Sequence, residues 1–136
     1  MTIEEIGQEY HARGFNCCQS VLCTLGSYTG LPEDTAAAIG SGFGGGMQCG
    51  NVCGAVTGGL MAIGKSCFPG TAPGEEKPTA VKLARELEAR FKEKTGTLLC
   101  REILAANGHA ICDECIAHAA KEAEKIIREF KGLEEK

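Results

Sequence analysis

The sequence predicts an all-α fold, a compact bundle of six or seven helices with one glycine-rich loop. Three observations lead there. Every long segment repeats its apolar residues at helical spacing, and none alternates them as a half-buried strand would. Residues that cap helices, Thr2, Asn16, Asn51 and Thr97, stand just ahead of these segments. Glycine and proline fall between them, at Gly14, Gly30, residues 69–74 and Gly96. With 136 residues, 43% of them hydrophobic and 24% charged, the chain has room for a single domain over 1–136 and a modest core.

Each element has its own signal. Thr2 and Glu5 form a capping box, and Ile3, Ile6 and Tyr10 share one face up to Gly14. Asn16 caps a second helix that opens on Cys17-Cys18-Gln19, runs to about Tyr28 and stops at Gly30. Pro32, followed by Glu33 and Asp34, starts a short third helix through Ile39. Residues 40–50 then hold six glycines. The run lacks Gly-x-x-x-x-Gly-Lys-Ser/Thr and follows no strand, so it reads as close packing, or as backbone wrapped around a compact group, rather than a phosphate loop.

Asn51 is read as the cap of the next helix, Val52 to about Lys65. Gly50, Gly54, Gly58 and Ala62 recur every four residues, a face that lets another backbone approach closely. Residues 69–74 form a loop. A long charged helix follows from about Glu75 to Lys94, with Val81, Leu83, Ala84, Leu87 and Phe91 as its apolar stripe. Thr97 is read as capping a short helix from Leu98 to Ala105, and the last helix starts near Ile111 or Cys112 and reaches Phe130.

Charge excludes several functions. A net charge of −4 leaves no basic excess for a nucleic-acid surface. The opening Met1-Thr2-Ile3-Glu4-Glu5 is acidic where a secretory signal needs positive charge, so a cytoplasmic location is expected. Thirty residues between Asp34 and Lys65 carry no charge, but Ser41, Gln48, Asn51 and the glycines interrupt them, so no membrane span is expected. Such a stretch is expected to be buried on several sides or to lie at a subunit interface. The charged C-terminal half reads as solvated helix with paired charges.

Nine cysteines, an odd number in a chain expected to stay in the cytoplasm, point to reduced thiols with catalytic, redox or metal-binding use. Cys23 and Cys67 read as packing residues. Cys17, Cys53, Cys100 and Cys112 fall in or beside the opening turns of four helices, where the dipole and free N–H groups favour a thiolate. Four such helix ends suit a soft cation or an iron–sulfur cluster, and they equally suit thiol–disulfide exchange. Adjacent Cys17 and Cys18 cannot readily point at one target, so one of them is expected to be functional.

Other sets compete. Cys112 and Cys115 form a C-x-x-C on one helical face, without the strand a thioredoxin-type site needs. With His109 and His118 they read His-x-x-Cys-x-x-Cys-x-x-His, four positions that cannot all surround one tetrahedral zinc. Two or three of them suffice only with help from another segment. His109, His118 and His11 therefore read as solvated or core-edge residues. Cys49 and Cys53, at i and i+4, suit a shared metal better than a disulfide. Ile116 after Cys115 removes a C-x-x-C-H haem attachment, and no haem is expected.

Gly14-Phe15-Asn16-Cys17-Cys18-Gln19-Ser20-Val21, then Gly42-Phe43-Gly44-Gly45-Gly46-Met47 leading to Cys53-Gly54-Ala55-Val56-Thr57-Gly58-Gly59, resembles the C-GCAxxG-C-C family of redox-active proteins. Cys100 before Arg101-Glu102-Ile103-Leu104, and Cys112 beyond it, complete the pattern over nearly the whole chain. The resemblance selects Cys17, Cys53, Cys100 and Cys112. It is similar to a domain of split-Soret cytochromes, which implies an iron–sulfur cluster, [2Fe–2S] or [4Fe–4S], and a homodimer. The expectation is a cluster on those four cysteines that carries electrons to a redox partner protein or senses redox state. Thiol–disulfide oxidoreductase chemistry and a zinc or soft-metal site are the alternatives, with Cys18, Cys49 and Cys115 undecided.

Overall fold

The computed structural model describes residues 1–133. Eight α-helical elements follow in order: α1 (Ile3–Ala12), α2 (Cys17–Thr24), α3 (Gly26–Thr29), α4 (Glu33–Gly40), α5 (Gly54–Cys67), α6 (Pro73–Thr95), α7 (Cys100–Asn107) and α8 (Cys112–Lys131). A wide turn over Gly46–Gly50 precedes α5, and a 3₁₀ turn over His109–Ile111 precedes α8. Among the described residues the only β pairing is an antiparallel bridge between Val52 and Leu99. None of their helices is long and apolar enough to cross a membrane. The fold is all-α.

Local chemistry sets most helix ends. Thr2 and Asn16 each close a full capping box, with Glu5 and Gln19 as the reciprocal partners. Gly30 and Gly96 end α3 and α6 in the left-handed conformation that glycine adopts without a Cβ clash. The second expected helix divides at Leu25, whose ψ of 17° breaks the helical run before Gly26, so the bundle has one element more than expected. Pro73 opens α6 two residues earlier than expected, because its fixed φ suits the first helical position.

Two expected caps are corrected. Asn51 and Thr97 do not cap α5 and α7; Cys53 and Leu99 occupy those positions. The reason lies far off in sequence. Cys53 N–H donates to Leu98 O at 2.8 Å and Cys100 N–H donates to Asn51 O at 2.7 Å. These bonds hold residues 51–53 and 98–100 extended, so each helix starts later than its polar residue suggests.

Helix α2 lies at the centre, with Cys18, Ser20, Val21, Leu22, Cys23 and Thr24 all buried. It packs against α1, α4, α5 and α8. Leu83, Leu87 and Phe91 of α6 and Ile116, Ala119, Ala123 and Ile127 of α8 close the core. Val81 stays 37% exposed, so the stripe on α6 narrows to positions four apart. Arg90 of α6 pairs with Glu122 and Glu129 of α8 and with Glu86 one turn back, the paired surface expected of this half.

The small-residue face brings α5 against α2. A methyl at Gly58 would sit 2.6 Å from the Cys18 carbonyl oxygen, and one at Gly54 would sit 2.8 Å from Phe43 O and 3.2 Å from Cys17 Cβ. Gly50 is not part of that helical face. It lies ahead of α5 at φ 71° and abuts Arg101 of α7. The uncharged stretch is likewise split. Its second half is largely buried, whereas much of residues 35–51 faces solvent, including Ile39 at 48% and Met47 at 40% exposure.

Gly58→Ala is expected to destabilise the protein by about 1–3 kcal/mol through overpacking against rigid backbone. Gly64→Ala, on the same helix with open space around it, is expected to be neutral or stabilising by about 0.5–1 kcal/mol. Urea denaturation of both variants checks the contrast; equal effects would refute the close-contact account.

Candidate functional site

Four helix starts carry the site. Cys17 is the first residue of α2, Cys53 the N-cap of α5, Cys100 the first residue of α7 and Cys112 the first residue of α8. Each therefore sits where backbone N–H groups lack helical partners.

The first turn of α2 is held rigidly. Asn16 Oδ1 accepts from the Gln19 N–H, and Gln19 Oε1 accepts from the Asn16 N–H, both at 2.8 Å. Asn16 Nδ2 also donates to Gly40 O at 3.1 Å, and Gln19 Nε2 donates to Ala37 O at 2.7 Å. The same residues that start α2 thereby bind the end of α4. A methyl at Gly44 would lie 2.9 Å from Asn16 Cβ, so the loop can wrap the cap only as glycine.

The loop then coils the opposite way. Gly45, Gly46, Met47 and Gln48 all have φ near +60°, which is costly for the two that bear side chains. Asn51 N–H closes the turn on Gly46 O at 3.0 Å. Cys49 is exposed and donates to Gly46 O at 3.4 Å, within its own turn.

Cys53 emerges buried from this turn. The Cys115 and Cys17 thiols hydrogen-bond to its sulfur, and the N–H groups of Ala55 and Val56 face it. Against the opposing effect of burial, these donors hold the Cys53 thiol far below its usual range, at about 3. Donation to Cys53, then burial, drives Cys17 and Cys115 strongly upward. One negative charge therefore centres on Cys53 between two protonated thiols. Burial raises Cys112 and Cys100 as well, reinforced by the Cys53 charge.

The structure thus brings Cys17 and the 2%-exposed Cys115 into contact with Cys53 and Cys112 into contact with Cys17, and sets Cys100 near enough to feel the Cys53 charge. The signal for Cys115 is its i, i+3 spacing from Cys112, which puts both on one face of α8. Cys18 points elsewhere, its sulfur 3.9 Å from Met61 Sδ, and Cys23 packs in the core with its thiol toward Glu33 O. Cys67 packs at the end of α5. The histidines stay apart from the sulfurs. His118 Nε2 lies 3.2 Å from Arg90 O, His11 pairs with Asp113, and His109 is exposed. All nine cysteines are free, and among the described residues no three His, Cys, Asp or Glu side chains are set around a single metal position.

A helical bundle that gathers thiols from four helix starts around one thiolate is built for sulfur chemistry. The family model described as "Putative redox-active protein (C_GCAxxG_C_C)" matches residues 15–126, and the chain belongs to that family. Its role is a redox one. No curated protein and no solved structure matches the chain.

In the metal-free protein, the ultraviolet thiolate band is expected to persist well below neutral pH and to disappear on acidification through about 3. The stability contributed by the depressed Cys53 thiol is lost over the same descent, from the free-thiol range down through 3. Cys53→Ser should abolish the band at neutral pH. A band that appears only near pH 9, about where an ordinary thiol titrates, would contradict this arrangement.

Proposed function

We propose that the protein holds an iron–sulfur cluster, [2Fe–2S] or [4Fe–4S], on Cys17, Cys53, Cys100 and Cys112. The observation that carries this reading is the convergence of these soft donors from four separate helix starts, with one sulfur already anionic and faced by two backbone N–H groups. The donor set fits such a group: iron–sulfur clusters take thiolates, and N–H donors to sulfur tune their potential. When bound, a cluster supplies one-electron transfer. The chain's part is to orient the four sulfurs and to exclude water with the buried α2–α5 contact. Reduced thiols in this number suit the cytoplasm. A homodimer that exchanges electrons with a partner protein completes the proposal, and the exposed uncharged residues around Ile39 and Met47 support such contacts.

A second reading, thiol–disulfide exchange, is favoured by one observation: Cys53 already touches two other thiols, those of Cys17 and Cys115.

Anaerobic purification is expected to yield a brown protein with visible absorbance and acid-labile sulfide. Cys53→Ser should lose nearly all of its iron and sulfide, while Cys23→Ser should keep them. A colourless protein with stoichiometric zinc would replace the cluster with a structural metal. A colourless metal-free protein would leave the exchange reading.

A further inference from the structure

A cavity reaches Cys115 from the surface. The space, about 120 Å³, is lined by Lys94, Thr95, Asn107, Ile111, Glu114 and Cys115. Lys94, Asn107 and Glu114 are exposed, so they form the mouth, while Cys115 itself is 2% exposed and forms the floor. A water needs only about 10–15 Å³ of such space, so the cavity admits several atoms of solvent or solute. It is well short of the roughly 300 Å³ at which pockets for drug-sized ligands begin, which leaves out bulky disulfides such as that of glutathione. Behind the floor, the Cys115 thiol is hydrogen-bonded to the Cys53 sulfur.

We infer that this cavity admits hydrogen peroxide or a small alkyl hydroperoxide to the Cys53–Cys115 pair, and that the cluster-free protein responds by forming a disulfide between them. Cys115 stands outside the four-cysteine pattern, so the switch belongs to this chain's extra thiol. The inference deepens the thiol reading above and is independent of the cluster reading.

The chemistry balances over the pair, the peroxide and one proton from solvent. The Cys53 thiolate attacks one peroxide oxygen, the O–O bond breaks, and the other oxygen departs with a proton taken from solvent as water (as the alcohol for an alkyl hydroperoxide). That sulfur is now a sulfenic acid. The neighbouring thiol attacks it, an S–S bond forms, the S–O bond breaks, and the second oxygen leaves as water with the second thiol's proton. The two sulfurs lose two electrons and the peroxide gains them.

Cys17 is the competing partner, since its thiol also meets Cys53. Cys17 is also partly exposed, whereas the cavity opens on Cys115, so the mapped disulfide decides between them.

The test uses full-length, metal-free, reduced protein and one equivalent of hydrogen peroxide, with disulfides mapped by peptide fragmentation. The expected product links Cys53 to Cys115 and returns to two free thiols with dithiothreitol. Asn107→Trp, an exposed position at the cavity mouth, should keep the helical circular-dichroism spectrum and slow this oxidation roughly tenfold by closing the access on which thiol rates depend. Cys115→Ser should lose the fast phase. A Cys53–Cys17 link in the wild type overturns the assignment of Cys115 and leaves the thiol reading standing. Absence of any disulfide on Cys53 overturns both. Asn107→Trp oxidising at the wild-type rate overturns the cavity as the route.

Discussion

The site depends on how closely α5 can approach α2. Gly54 and Gly58 let the two backbones meet at distances that leave no room for a Cβ, and the N-cap sulfur of α5 is thereby brought to the first residue of α2. With Ala at these positions the helices would separate, and Cys17 would no longer reach Cys53. Packing and chemistry share the same two glycines. The Asn16–Gln19 capping box then fixes the other end of the contact by binding α4, so the turn that bears Cys17 has little freedom left.

The electrostatics follow from that packing. The leading stabilisation of the depressed Cys53 thiol comes from neutral donors, two thiols and two backbone N–H groups. A buried anion held by neutral hydrogen bonds leaves the site with a net negative charge, the condition under which a cation or a metal–sulfur group is attracted. Because the flanking thiols remain protonated, the cluster offers donors and an acceptor together, which suits metal coordination after proton release and suits sulfur exchange without it.

Much of this was legible because it is local. The capping boxes at Thr2 and Asn16, the stops at Gly30 and Gly96, and the start of α8 at Cys112 depend on residues within one turn. The small-residue face at Gly54 and Gly58 was legible because its spacing is helical. The errors have a common physical origin in contacts between distant residues. Asn51 and Thr97 look like caps, yet the pairing of 51–53 with 98–100 moves both helix starts onto cysteine-adjacent backbone. Met47 and Gln48 give no sequence sign of left-handed backbone, since neither residue type favours it. Cys115 was one of three undecided thiols, and only the packing of α8 beside Cys53 separates it from Cys18 and Cys49.

The short bridge between Val52 and Leu99 also orders the site in time. Residues 51–53 cannot take their final form until 98–100 have been synthesised and have folded back across the intervening α5 and α6. During synthesis, the N-terminal half leaves the ribosome with Cys17 and Cys53 not yet set by their distal partners. Cys115 arrives later still, on the last helix. The sulfur centre is therefore completed only when nearly the whole chain is available, so a truncated or stalled chain lacks the assembled site.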